Sequence, residues 1–265
     1  MPRSIWNGTI TFGLIAVPIK VYSATESHTI HFHQVHESDG ARIKQKRICS
    51  KEGKEVPYKE VAMGYEVRGG EFVMLEKEEI DAAAGDRAHT IELEQFVERE
   101  QVDPVYYNRT YYLGAGDDGE DAYRLLHDAL ARAGRTGLGR WVFHNREYLI
   151  AVRAGDDVLV LHTMRFADEL VSPEKLDIAK PSRKPTSREL SMAEKLVESL
   201  QKQFRPASFK DSYRDRVAKL IKLKAEGGDV ELPSYEEPEA PDDLLAALEA
   251  SLGNGKKKSR AKARS

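Results

Sequence analysis

The sequence predicts a mixed α+β fold, mainly β, whose sheet is closed or half-closed into a barrel. Three observations carry this. Short β-type runs fill about the first 170 residues, Gly- and Asp-rich turns separate several of them, and a single helical pattern interrupts them. The runs are Thr9–Tyr22, Thr29–His36, Arg42–Ile48, Glu71–Leu75, His89–Val97, Val105–Leu113, Arg140–His144, Tyr148–Arg153 and Val158–Met164. Ala154-Gly-Asp-Asp157 is short enough to close a hairpin between the last two. Gly114-Ala-Gly-Asp-Asp-Gly119 leads into a helix at Glu120–Ala133, where Tyr123, Leu126, Leu130 and Ala133 recur at helical spacing.

The character of the chain changes after Pro173. Pro181-Ser-Arg-Lys-Pro185 reads as a linker, and Ser187 or Ser191 caps a helix with an apolar face of Met192, Leu196, Leu200 and Phe204, stopped by Pro206. A second helix starts near Ser208, carries Tyr213, Val217, Leu220 and Ile221, and ends at Gly227-Gly228. The acid- and Pro-rich stretch that follows has too little apolar surface to fold alone. Asp242 to Leu252 then gives a compact helix signal in which Leu244, Leu245, Leu248 and Leu252 form one stripe. No internal repeat is evident.

Composition removes several classes of function. The longest apolar runs fall well short of the roughly 20 residues that span a bilayer, and the N-terminus lacks a secretory pattern, so a cytoplasmic protein with no membrane partner is expected. The lone Cys49 excludes an internal disulfide. A net charge of −3 argues against a nucleic-acid binder only until it is divided along the chain. Residues 226–252 carry nine acids and no Lys or Arg, residues 253–265 carry six bases and no acid, and the remainder is neutral. Any affinity for DNA must therefore come from local clustering.

The densest cluster is Arg42, Lys44, Lys46, Arg47, Lys51, Lys54 and Lys59, against only Glu52 and Glu55. On a strand rising about 3.3 Å per residue, Arg42, Lys44 and Lys46 share a face at roughly 6.6 Å intervals, the scale of successive phosphates. Such a ladder reads backbone charge and no base sequence. The pattern alone favours the plainer alternative of a solvated edge strand defended by Lys. Lys256, Lys257, Lys258 and Arg260 in the basic tail add nonspecific phosphate contacts.

Catalytic readings find little support. His31, His33 and His36 do not share one strand face, and no carboxylate or cysteine stands at ligand spacing, so a structural role is favoured and no metal or other cofactor is expected. Cys49 has no partner suggesting a nucleophile and reads as an ordinary strand residue. There is no Gly-x-x-x-x-Gly-Lys, His-Glu-x-x-His or Gly-x-Ser-x-Gly pattern. Asp117-Asp118 and Asp156-Asp157 could hold Mg²⁺ for a nuclease, but each sits beside Gly in a turn, where Asp belongs for backbone reasons. The chain reads as a non-enzyme.

The opening run Arg3-Ser-Ile-Trp-Asn-Gly-Thr-Ile-Thr-Phe-Gly-Leu-Ile-Ala-Val-Pro-Ile-Lys-Val-Tyr22 resembles the start of the bacterial Ku proteins of nonhomologous end joining. The resemblance recurs, in order, at Phe32-His-Gln-Val-His36, Arg42-Ile-Lys-Gln-Lys-Arg-Ile-Cys49, Lys59-Glu-Val-Ala-Met-Gly-Tyr-Glu66, Val102-Asp-Pro-Val-Tyr106 and Leu190-Ser-Met-Ala193. It implies a Ku-type β-barrel core with a bridge arm encircling DNA and C-terminal helical arms. It implies binding of double-stranded DNA ends, a homodimer, and recruitment of the end-joining ATP-dependent DNA ligase, ligase D. It also reverses the balance for Arg42 to Lys59, because the matching stretch of Ku proteins belongs to the bridge. Some relatives carry Cys-x-x-Cys near Cys49, but the second position here is Glu52, which removes the case for a family-derived metal or redox site. For the leucine stripe, the pattern leaves docking on the protein's own body and binding of a partner equally open, and the resemblance favours the ligase.

The expected organisation is a barrel core at 1–186 with a bridge at about 40–75, a helical arm with dimer contacts at 187–227, an acidic linker at 228–241, the partner-binding helix at 242–252 and a basic tail at 253–265. A core of about 220 residues has a radius of gyration of roughly 17 Å, too small to enclose a duplex, so a ring needs two chains around a two-fold axis. Eukaryotic Ku subunits carry a further N-terminal domain, whereas this chain is expected to begin directly at the barrel motif. The rival reading is a β-barrel protein–protein adaptor whose basic strand is only an edge defence.

Overall fold

The computed structural model describes residues 3–83, 89–181, 183–228 and 245–252. The chain divides into two compact units, Met1–Lys175 and Leu176–Ser265.

Seven strands close the barrel of the first unit in the order β1 (Trp6–Phe12), β2 (Ile15–Ser23), β6 (Tyr107–Ala115), β9 (Leu159–Met164), β8 (Arg146–Ala154), β7 (Arg135–Phe143) and β5 (Thr90–Glu98). All neighbours are antiparallel except β1 and β5, which close the ring through a short parallel register of Thr9, Ile10 and Thr11 against Thr90, Ile91 and Glu92. The single run expected over Thr9–Tyr22 is two strands, because Gly13 adopts φ +57° and turns the chain. In β2 the alternation is regular: Val17, Ile19 and Val21 are buried and the residues between them are not. Period-2 side chains therefore supply the interior. Its centre is aromatic. Trp141, fully buried, meets Trp6 and Tyr111 edge-on at 5.6 Å each and stacks on Phe143 at 4.5 Å, favoured arrangements for aromatic pairs.

Helix α2 occupies Glu120–Ala133, the range its periodicity predicts, and adds Leu126 and Leu130 to the barrel core. Gly134 ends it at φ +61°, in the left-handed conformation that caps a helix. Tyr123 ties the helix down: its hydroxyl donates to the Leu113 carbonyl at 2.6 Å and accepts from the Leu159 amide at 2.8 Å. The Ala154–Asp157 turn joins β8 to β9 as a hairpin, with the Gly155 amide bonded to the Val158 carbonyl at 2.7 Å.

Between β2 and β5 the expectations fail in part. Thr29–His36 and Arg42–Ile48 are not regular strands; the only pairing there is the isolated bridges Val35–Arg42 and Ile48–Glu55. Cys49 sits at a turn, not in a strand. The run expected at Glu71–Leu75 is β4 (Phe72–Leu75), which pairs with the unforeseen β3 (Met63–Glu66) in a two-stranded sheet and is followed by the short helix α1 (Lys77–Ala83). A segment with no buried face carries no period-2 signal, which is why these boundaries were not legible.

In the second unit, helix α3 runs Ser187–Leu200 and is capped by Thr186, whose hydroxyl accepts from the Glu189 amide while the Glu189 carboxylate accepts from the Thr186 amide. The helix ends at Leu200, short of Phe204 and Pro206. Helix α4 runs Ser212–Ala225 with Asp211 as its cap, four residues later than expected near Ser208, and Gly227 follows at φ +78°. No residue of either helix is buried. No helix among the described residues is long and apolar enough to cross a membrane.

Candidate nucleic-acid interface

Residues 24–89 leave the barrel after β2 and return at β5, and none of their described residues is buried. Both ends of this arm are held on the barrel. At the outgoing end the Ala24 amide donates to the Thr110 carbonyl of β6 at 3.3 Å. At the return, Asn145 donates to Asp81 of α1 at 2.5 Å. Asn145 and His144 adopt φ +59° and +51° in the tight β7–β8 turn, and a cavity of about 620 Å³ opens there between Trp6, Phe143, His144, Lys77 and Asp81.

The basic part of the arm is two small hairpins of the same construction, a repetition the sequence reading does not identify. In the first, the His36 amide bonds the Ala41 carbonyl, Gly40 bonds His36 and Ile43 bonds Gln34. In the second, Cys49 bonds Lys54, Gly53 bonds Cys49 and Val56 bonds Arg47. Gly40 and Gly53 occupy equivalent places at φ +69° and +67°. The side chains carry a faint trace of the same repeat, with Val35 and Ile48, Asp39 and Glu52, and Ile43 and Val56 at matching places, too short a signal to stand out in the sequence.

Arg42–Ile48 is thus the connection between two hairpins rather than a ladder strand, and the regular 6.6 Å spacing expected of it does not follow. Lys46 is engaged by Glu55 at 2.6 Å, and Arg47 lies over the Tyr58 ring at 5.0 Å. Arg42, Lys44, Lys51, Lys54 and Lys59 make no ion pair among the described residues. Arg42 lines a groove of about 280 Å³ with Phe32, His33 and Gln34. His31, His33, His36 and Cys49 do not assemble a metal centre: among the described residues no three His, Cys, Asp or Glu are grouped to hold an ion.

A second polar group lies on the outer face of the barrel and was not foreseen. His162 of β9 pairs with Thr110 of β6 at 3.0 Å through Nδ1, and its Nε2 accepts from Arg153 Nε of β8 at 3.1 Å. Burial first, then the charges of Arg153 and Arg99, push the His162 imidazole down to about 4. Nothing in the sequence signals this, because the partners come from three strands and a loop.

Helix α5, residues 245–252, belongs to the second unit. Leu245, Leu248 and Leu252 are half-buried, and Glu249 accepts from Arg188 at 3.1 Å. Leu244, together with Lys256, Lys257, Lys258 and Arg260, lies outside the described residues.

A seven-stranded barrel closed around an aromatic core, with an arm held at both ends and no buried residue along its described length, defines the class. Residues 11–192 match the family described as the Ku70/Ku80 beta-barrel domain, and the chain belongs to the Ku family. Among its relatives, the Non-homologous end joining protein Ku of Anaeromyxobacter sp. (strain K) is 42% identical over 260 residues, 97% of this chain and 88% of that protein. The proteins of the same name from Solibacter usitatus and Mycolicibacterium smegmatis are 37% and 38% identical, over 95% and 94% of this chain and 94% and 81% of their own lengths.

The depressed His162 pKa makes a test of the outer-face network. A histidine that stays neutral down to about 4 when folded, against 6.5 as its ordinary value, favours folding fully above about pH 6.5 and progressively less as pH falls toward 4. His162→Gln keeps one donor and one acceptor but does not titrate. The melting temperature of wild type relative to this variant is expected to fall between pH 6.5 and 4 and to be constant above pH 7; a difference independent of pH would refute the neutral assignment.

Proposed function

We propose that this protein binds DNA double-strand-break ends without regard to sequence, as a homodimeric ring, and recruits and stimulates the end-joining ATP-dependent DNA ligase, ligase D. It acts as a scaffold rather than a catalyst. The observation that carries the reading is the arm: a segment anchored to the barrel at both ends, with no buried residue and with Arg42, Lys44, Lys51, Lys54 and Lys59 among its cations free of ion pairs within the described residues, is suited to span a polyanion. The names of the relatives support the end-joining role.

The dimer is supported by what the second unit leaves uncovered. Leu190, Val197 and Leu200 on α3, then Phe204 and Phe209, are between 51% and 75% exposed. These are large apolar side chains in one stretch of chain, more than scattered exposure explains, and a second copy would bury them. The ligase is assigned to the stripe of Leu244, Leu245, Leu248 and Leu252, and the tail cations to nonspecific phosphate contacts.

A ring should thread only onto a free end, so linear duplex is expected to bind far more tightly than a covalently closed circle of the same sequence; equal affinities in gel shifts would defeat the ring. In the same assay, changing Arg42, Lys44 and Lys46 to Glu is expected to flatten the salt dependence by about 0.9 in log–log slope for each phosphate no longer neutralised, with the dimer intact. Because Lys46 is paired with Glu55 in the free protein, Arg42 and Lys44 should account for most of that change. Replacing Leu244, Leu245 and Leu248 with Ser is expected to abolish ligase stimulation while end binding persists, at about 1.5 to 3 kcal/mol per fully buried leucine. Normal stimulation accompanied by a lowered melting temperature would instead assign the stripe to the protein's own body.

A further inference from the structure

We propose that Arg99 and Arg153, on the outer face of the barrel beside the root of the arm, form a binding position for a backbone phosphate of duplex DNA. The proposal rests on the end-binding reading above and adds a contact surface on the barrel itself, separate from the arm.

The two guanidinium groups converge on one atom. Arg153 Nη1 donates to the Ala154 carbonyl at 3.3 Å, and Arg99 Nη2 donates to the same oxygen at 3.5 Å. Neither makes an ion pair with a carboxylate among the described residues. Arg135, Arg140 and Arg146 do, pairing with Glu98, with Glu94 and Glu147, and with Glu169, whereas Arg165 donates to the Val105 and Tyr107 carbonyls; Arg99 and Arg153 are distinguished by sharing one acceptor. Two adjacent cations sharing a neutral acceptor repel each other, and an anion bound between them would relieve that repulsion. A guanidinium's fork of donors matches the oxygens of a phosphate.

Arg153 is also held in place. Its Nε donates to His162 Nε2, so the imidazole proton resides on Nδ1 and is directed at Thr110 Oγ1. The Tyr107 ring lies 4.8 Å from the imidazole and limits its rotation. A neutral His162 acting as acceptor adds no charge and engages only Nε, while Nη1 donates to the Ala154 carbonyl. Burial first, then the charge of Arg99, lower the Arg153 pKa, and Tyr107, Tyr112 and Asp156 only partly offset them.

Location selects the phosphate source. The carbonyl of Thr110, the residue that holds His162, accepts the Ala24 amide at the point where the arm leaves the barrel. A duplex lying under the arm would pass this foot, and would present internal phosphodiesters there whatever its end chemistry.

The test uses the full-length protein with Arg99→Gln and Arg153→Gln, singly and together, plus Arg153→Lys. Binding to linear duplex is measured against NaCl concentration with 5′-phosphorylated and 5′-hydroxyl ends. The double variant is expected to show a log–log slope lower by roughly 0.9 for each phosphate no longer engaged, equally for both end types, with unchanged melting temperature and oligomeric state. Arg153→Lys should retain the wild-type slope. An unchanged slope in a folded double variant would overturn the proposal, as would a weakening confined to 5′-phosphorylated ends. The arginine Nε–H resonances, followed by NMR during titration with inorganic phosphate, separate this proposal from the reading beneath it. If wild type binds no linear duplex yet the Arg153 resonance moves with phosphate and fails to move in Arg99→Gln, the anion position stands and the end-binding reading falls.

Discussion

The short parallel register of β1 against β5 is the constraint on which the first unit depends. An antiparallel meander can be closed only if its last neighbour returns beside its first, and here β5 does so along just three residue pairs, Thr9 to Thr11 against Thr90 to Glu92. β2 ends and β5 begins toward the same rim, with only β1 between them, so a short crossing would already close the ring. The arm is an insertion at that crossing, not a length the register demands. Barrel closure also removes the free sheet edges that would otherwise need protection, and it places the foot of the arm beside β6 and its return beside the β7–β8 turn.

The arm's architecture is that of a segment without a core. Its order comes from local chain reversal at Gly40 and Gly53, from the small β3–β4 sheet, and from anchoring at its two ends. Short hairpins of this kind are marginal when isolated, and here they leave cations such as Arg42, Lys44 and Lys51 free of ion pairs among the described residues. Three barrel arginines, Arg135, Arg140 and Arg146, are instead neutralised by glutamates, while Arg99 and Arg153 share a backbone carbonyl. A protein whose net charge is −3 can in this way present positive potential in limited places.

The second unit is built from amphipathic helices that find too little apolar surface within one chain. Capping is good at α3, where Thr186 and Glu189 satisfy each other and the Arg183 side chain first, then the Thr186 bonds, hold the Glu189 carboxyl down to about 2. Burial is poor, with no residue of α3 or α4 buried. Helix α5 is the exception in part, since its leucines are half-buried and Glu249 reaches Arg188. A stripe partly covered by its own chain can still serve a partner, but binding must then compete with that cover.

What the sequence by itself determined are the elements whose periodicity is enforced by a dry interior. The alternation in β2, the limits of α2 and the β8–β9 turn were all legible, because one buried face imposes a fixed period on side-chain type. The cluster from Arg42 to Lys59 was legible as charge, and the collinear motifs as a resemblance to Ku, which the match over residues 11–192 bears out. The strand form assigned to Arg42–Ile48, the position of Cys49 at a turn, and the presence of β3 and α1 were not, since a segment exposed on every side places no periodic demand on its residues. The outer-face group of Arg99, Thr110, Arg153 and His162 was decided by tertiary structure alone. Those residues are distant in sequence, and only the register of β6 on β9 and β9 on β8 brings a histidine, a threonine and an arginine into one hydrogen-bonded row.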